Sequence, residues 1–552
     1  MTTPEAPDTP VAPAPRRRSH VWGAVILGIA MLAILMPGNS MIGITYDEPI
    51  YQSKSVQALD WLGLLVTSPS LAVTPDAIDH FWLAKDQHPG FFKLLTAVCG
   101  ATLGRLLPYN ATWRAGTNLL CAVCFAALYL FVLPVWGRAV AVYAACALLL
   151  MPRVFAHCHL AALDAPIMSL TFLTLVAVWH VCLFRGGQTP AEKRSAWVWA
   201  AIAGVLWGLG LGTKLNAFFV PFIVFPWVLL FARGQFWRLA VGFAVCGPLA
   251  FLITWPWLWH ETLPRFAEYF QFHFQHYPVS VMYFGEFCVR APWHYPLVMG
   301  AITLPPATLA LALLGLGRSG ILRASDTGDD AVKLRKATLA LVLWALFVYL
   351  VPMCLPNTPK YGGVRLFLPV FPLVAVLAAV GLRGVLDWLI RRIPNAGADV
   401  ELRRKLTVLV LFLALLGPLM AVAKFTPYHL SYYNGLIGGL PGATRAGMEP
   451  IYWGDTYRSA ALWLAEHAPQ GATVWVDPVG FESTVRLFEL GPMRPDLGFA
   501  AGPEGFNGAD YAVTQNKPIE FSEISRKLVA EERPVYTDGI DGVPLIYVFK
   551  LR

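Results

Sequence analysis

Apolar runs of membrane-spanning length recur through the first 424 residues, and most Lys and Arg sit in the short segments between them. A helix needs roughly 20 apolar residues to cross a bilayer core of about 30 Å. In lipid every backbone polar group must be satisfied internally, which leaves helices as the natural solution for such runs. The composition agrees, because 57% hydrophobic and 14% charged residues leave too little polar surface for a soluble globule of 552 residues. The expected fold class is an all-α polytopic membrane protein with a small α/β domain at its C-terminal end.

Charge then sets the orientation. Residues 1–18 are rich in Pro and Ala without periodicity and read as a disordered cytoplasmic tail. Arg16, Arg17 and Arg18 precede the first run, Val21 to Met36, and place its start on the cytoplasmic side. A cleaved signal peptide is the other reading of this run, but Pro37-Gly38-Asn39-Ser40 is a poor cleavage site, so an uncleaved span is expected.

The later runs fall at 116–135, 138–152, 165–184, 196–212, 216–232, 237–257, 293–316, 337–355, 364–386 and 406–424. The stretch Phe91 to Leu107 decides the parity. If it lies in the interface or re-enters, Arg138, the Arg185 to Arg194 loop, Arg233 to Arg238, the Arg318 to Lys336 loop and Arg391 to Lys405 all fall inside. One more crossing would put most of them outside. The expectation is eleven spans in a cytoplasmic (inner) membrane of bacterial type, with the N-terminus cytoplasmic and the C-terminus extracytoplasmic.

The net charge of +8 and the pI near 9.0 come from these flanking runs rather than from one basic stripe, so no nucleic-acid partner is expected. The nine cysteines lie mostly inside apolar runs and imply no disulfide framework. The membrane unit covers 19–424 and includes a long outer loop, 39–115. From residue 425 the composition turns mixed polar: Ser459 to His467 reads as an amphipathic helix, and 473–476, 511–513 and 544–549 read as strands of an extracytoplasmic α/β domain, 425–552.

This topology gathers the unusual polar residues on the outer side. Asp47 and Glu48 precede Pro49 just beyond the first span, where a solvated acid pair is the plainer reading. Asp164 stands at the lip of an apolar span, where an ionisable group is costly and therefore marks function. His157 and His159 flank Cys158, but residues two apart on a helix do not face one ligand position and no matching pair follows, so no metal site is assigned. Lys214 lies between two apolar runs and could simply snorkel to the headgroups. Lys360 and Arg365 flank Gly362-Gly363 in a loop able to hold a phosphate, with lipid anchoring as the alternative. Acids and cations together beside lipid suggest chemistry on a lipid-linked phosphate: a base activates an incoming hydroxyl or amine, and cations hold the departing phosphate.

The set resembles the polyprenyl-phosphate-sugar-dependent glycosyltransferases of the GT-C fold, in particular glycosyltransferase family 39, which includes protein O-mannosyltransferases and lipid A aminoarabinose transferases. The residues that carry the resemblance are Asp47-Glu48-Pro49, the stretch His88-Pro89-Gly90-Phe91-Phe92-Lys93, and His159 to Pro166 with its Leu-Asp-Ala-Pro core. Thr213-Lys214 and Lys360 to Arg365 add to it. Gly90 stands where the family has the second Pro of its His-Pro-Pro element.

The resemblance implies Asp47 as general base on the acceptor, Glu48 as its partner in setting the protonation of the pair, and Asp164 as a third acid at the acceptor or metal site. It implies His88, Lys93 and His159 in the same cavity and Lys214, Lys360 and Arg365 on the donor phosphate, with inversion at the anomeric carbon. The partners implied are a polyprenyl-phosphate sugar donor, a protein, lipid or glycan acceptor, and membrane lipid. The expected outer location of the C-terminal domain suggests a part in acceptor choice, so deleting 450–552 is expected to alter acceptor choice more than donor binding. No cofactor is specified, and a divalent cation, Mg²⁺ or Mn²⁺, stays open. Two other classes remain: a transporter or lipid flippase using Asp164 as a coupling site, and an outer-surface binding protein whose helices only anchor it.

Overall fold

The computed structural model describes residues 18–82, 88–184, 189–275, 277–324 and 330–552. The expected tail before Arg18, residues 83–87 just before His88, and parts of two basic loops lie outside them. Among the described residues eight helices are long and apolar enough to cross a membrane: Ser19–Gly38, Tyr109–Trp136, Asp164–Leu183, Pro190–Leu211, Arg233–Ile253, Asp330–Met353, Arg365–Arg392 and Val400–Phe425. The chain is an integral membrane protein.

Three of the eleven expected spans differ from the expectation. The run at 138–152 forms a 12-residue helix, Arg138–Leu149, ended by Pro152. At 1.5 Å per residue it is about 18 Å long, short of a full crossing. Its small side chains Ala141, Ala144, Ala145 and Ala147 are fully buried, so it is a core helix wrapped by its neighbours. The run at 216–232 begins as a 3₁₀ turn, Leu215–Phe219, before the helix Val220–Phe231. The run at 293–316 breaks at Pro305 into Tyr295–Thr303 and Pro306–Ala324, because consecutive prolines supply no N–H and restrict the residue before them. Elsewhere small residues bring helices close: a Cβ on Gly315 would lie 1.9 Å from the Leu377 carbonyl oxygen, and one on Gly381 equally close to that of Leu311.

The stretch after His88 forms a 13-residue helix, Phe91–Leu103, also too short to cross. It packs against Glu48–Thr67 and Tyr109–Trp136. After the last span comes a five-stranded sheet in the order Gly498–Ala500, Thr473–Asp477, Tyr511–Gln515, Val543–Lys550, Tyr536–Ile540. The first three are parallel and the last two join antiparallel. Two of these strands escape sequence reading for local reasons. Gly498–Ala500 has three residues, and Tyr536–Ile540 carries a register shift at Asp538/Gly539 that breaks the alternation.

Candidate active site

A cavity of about 760 Å³ lies where the ends of several helices meet the loop after the first span. Its polar lining includes Asp47, Asp164, Lys214 and Arg365, together with Lys54 and His88. The lining also holds an aromatic cluster, with the Phe270 ring centre 6.3 Å from that of Phe218 and 6.1 Å from that of Phe274, beside Phe219 and Met353. Segments far apart in sequence thus converge on one cavity.

Each acid faces a cation. Arg365 lies 3.1 Å from Asp47, and Lys214 lies 2.6 Å from Asp164. Asp164 opens the helix Asp164–Phe184, where the helix N-terminus favours a negative charge. Arg365 lies over two rings, its guanidinium carbon 4.3 Å from the Trp453 ring centre and 5.3 Å from that of Tyr361. The turn before it needs Gly362 and Gly363, both at positive φ of 61° and 64°. A Cβ on Gly363 would meet Arg153 Nη1 at 2.4 Å, so the loop also approaches its neighbours too closely for a side chain.

The loop carrying Asp47 is fixed by a buried ion pair. Glu48 and Arg114 have no exposed side-chain surface, and the guanidinium donates to both carboxylate oxygens at 2.8 and 2.7 Å. Arg114 also donates to the carbonyls of Asn39, Ile42 and Gly43. Glu48 accepts from the backbone N–H groups of Thr45 and Ala161. The loop is further tied to the C-terminal part, with Ile44 N–H donating to Glu489 and Tyr46 N–H to the Trp453 carbonyl.

The expected role of Glu48 is therefore corrected. It faces Arg114 and lies outside the cavity lining, because neighbours in the first turn of a helix point about 100° apart. Three further residues expected at the cavity lie elsewhere. Lys93 is buried and donates to the His88 carbonyl at 2.7 Å, which holds His88 rather than substrate. His159 is buried, with Nδ1 2.7 Å from the Phe155 carbonyl oxygen and its ring against Phe155. Lys360 turns back onto the carbonyls of Leu355 and Thr358, and burial lowers its pKa. A lipid-phosphate probe should accordingly bind Lys360→Met within about twofold of the unaltered protein and Arg365→Met at least about tenfold more weakly, as expected for loss of a charge-assisted contact. Titration of both variants with polyprenyl phosphate checks the contrast.

Sequence reasoning missed Lys54, Arg114 and Trp453. Lys54 lies seven residues after Asp47, two helical turns along one face, and that spacing was a readable signal. Arg114 sits early in the apolar helix Tyr109–Trp136, where a charge needs a partner. Trp453 carries no local signal. Its contact with Arg365 also alters the expectation for the C-terminal part, since deleting 450–552 removes a ring that holds Arg365 and so disturbs the cavity as well.

The described residues bring together no group of three or more His, Cys, Asp or Glu side chains able to ligate an ion, and Asp47 and Asp164 each face a protein cation. This arrangement does not offer the oxygen-rich donor set that Mg²⁺ or Mn²⁺ requires. His157, whose pKa burial lowers to about 4, is 3.2 Å from the Tyr452 hydroxyl and belongs to the packing around Trp453.

Among solved structures, ArnT from Cupriavidus metallidurans bound to undecaprenyl phosphate is similar at 15% identity, over 95% of this chain and 98% of that one, with a TM-score of 0.47. The oligosaccharyltransferase AglB from Archaeoglobus fulgidus, in complex with an inhibitory peptide and a dolichol-phosphate, is similar at 12% identity, over 91% of this chain and 70% of that one, with a TM-score of 0.48. Among curated proteins no relative matches the sequence. The matched family segment, residues 107–277, is under a third of the chain; it contains Arg114, Asp164 and Lys214 but neither Asp47 nor Arg365. Over that segment the resemblance read from the motifs is borne out, the family being described as dolichyl-phosphate-mannose-protein mannosyltransferase.

Proposed function

We propose that this protein transfers a sugar from a polyprenyl-phosphate donor to an acceptor at the outer face of the cytoplasmic membrane, with its N-terminus inside and its C-terminus outside. The observation that carries the reading is one cavity in which three cations, Lys54, Lys214 and Arg365, meet two carboxylates and continue into a phenylalanine-rich wall. An anionic head on an apolar chain matches that division, the phosphate lying on the cations and the lipid along the rings. The division of the chain into a membrane unit through residue 424 and an extracytoplasmic unit from 425 belongs to the same proposal.

In the step so derived, the acceptor's O–H or N–H gives its proton to the Asp47 carboxylate. A bond forms between the acceptor atom and the anomeric carbon on the face opposite the phosphate. The carbon–oxygen bond to phosphate breaks, its electron pair passes to the phosphate oxygen, and the sugar is inverted. Arg365 and Lys214 hold the charge that develops on the leaving phosphate. The donor phosphate takes over Arg365 from Asp47, which leaves that carboxylate able to accept the proton.

Free polyprenyl phosphate, measured after incubating the purified chain with a panel of polyprenyl-phosphate sugars and cell-envelope extract, tests the reading. Release from one donor supports it and identifies the sugar. No release from any donor by folded protein would favour transport instead.

A further inference from the structure

A second cavity, of about 390 Å³, lies where Met41 beyond the first span and Tyr428 beyond the last meet the helix Tyr457–His467. It shares no lining residue with the first cavity. Its wall is rich in hydrogen-bond acceptors. Asp455 is buried, and neither of its carboxylate oxygens has a partner among the described residues. Asp538 accepts from the Tyr428 hydroxyl, and Glu466 stands exposed at the rim. The lining's one cation, Arg458, is committed to Glu489 at 3.3 Å. The rest of the wall is apolar or aromatic, with exposed Leu462 and Met41 beside the stacked rings of Trp463 and Tyr536, 5.4 Å apart at 16°.

A buried carboxyl with no partner is costly, which makes Asp455 the group a ligand would satisfy. The Asp538 and Glu466 carboxylates repel a phosphate, so the anionic donor is the wrong occupant. A lipid tail would strand the acceptors. A sugar ring offers several O–H donors in one plane of substituents and an apolar C–H face, and it matches both parts of the wall. The volume lies at the small end of the roughly 300–1,000 Å³ range of small-ligand pockets. Burial raises the Asp455 pKa to about 7, so near neutral pH the group can accept from a hydroxyl or donate to one.

We propose that this second cavity binds a sugar residue through its hydroxyl groups, at a site separate from the one that performs transfer. The sugar can belong to a free saccharide or to a larger glycan. The cavity also borders the loop that positions Asp47: the Asp455 carbonyl oxygen is so close to Gly43 that a Cβ there would lie 2.1 Å away.

Saturation-transfer NMR on the full chain in nanodiscs tests this directly, with methyl glucoside, mannoside, galactoside, arabinoside and 2-amino-2-deoxyglucoside, and with an oligosaccharide of each sugar. At least one of them should bind, and Asp455→Asn and Glu466→Ala should each weaken that binding about tenfold, in line with loss of a hydrogen bond to a charged group. Glu466 is on the surface, so its variant folds even if the buried one does not. Asp47→Asn should leave this binding unchanged, which separates the site from transfer. A glycoside that binds as tightly as its oligosaccharide identifies a free sugar as the ligand, and a tighter oligosaccharide identifies a glycan. No binding by any member, binding insensitive to both variants, or displacement by polyprenyl phosphate would overturn the proposal.

Discussion

Asp47→Asn should reduce sugar transfer at least about a hundredfold, the lower range expected on losing a positioned general base, and should tighten donor binding. The two effects have different origins. The amide keeps the shape of the side chain but cannot take the acceptor's proton, so the chemical step slows. Asp47 also neutralises Arg365 at 3.1 Å in the unliganded protein, and without that competitor the guanidinium is free for phosphate. Single-turnover transfer at saturating donor gives the first effect, and direct titration with polyprenyl phosphate the second. Near-normal transfer would remove Asp47 as the base. Transfer lost together with donor affinity would instead make Asp47 a structural element of the phosphate site.

Arg114→Met should destabilise the protein by about 3–5 kcal/mol, the range for removing one partner of a buried ion pair. The change strips the Glu48 carboxylate of both its guanidinium bonds and leaves the carbonyls of Asn39, Ile42 and Gly43 without their donor. Glu48→Gln should cost less, because the amide oxygen can still accept. The double variant should lose less than the sum of the two, since it no longer buries a lone carboxylate. Thermal unfolding of the detergent-solubilised variants measures all three. Strict additivity would mean that the two residues do not act as a unit. Because the pair fixes residues 39–48, any folded Arg114→Met protein should also transfer slowly, with donor affinity retained through Arg365 and Lys214.

The convergence of Asp47, Asp164, Lys214 and Arg365 was legible in the sequence because charges beside apolar runs are few and the basic loops fix which side each run ends on. Their division of labour was less legible. Adjacency made Glu48 look like Asp47's partner, whereas the helical rotation sends it to Arg114, a residue 66 positions away. Lys360 and Arg365 look alike in a glycine loop, but Lys360 closes on its own carbonyls while the double glycine turn carries Arg365 into the cavity. Trp453 could not be foreseen, since its place under Arg365 depends on how the segment after the last span folds back over the first loop. The spans were readable from hydropathy, but not the shortening of Arg138–Leu149, which depends on neighbours that enclose it.

The pairing of Asp47 with Arg365 also bears on the sequence of events in a catalytic cycle. On the proposed reading, an acceptor that arrives at the empty protein meets a carboxylate already engaged with a cation, and no activated nucleophile forms. Only the arrival of phosphate on Arg365 releases it. The leaving group thus switches on the base that will expel it, which gives an ordered kinetic mechanism, donor first and acceptor second, set by one shared guanidinium.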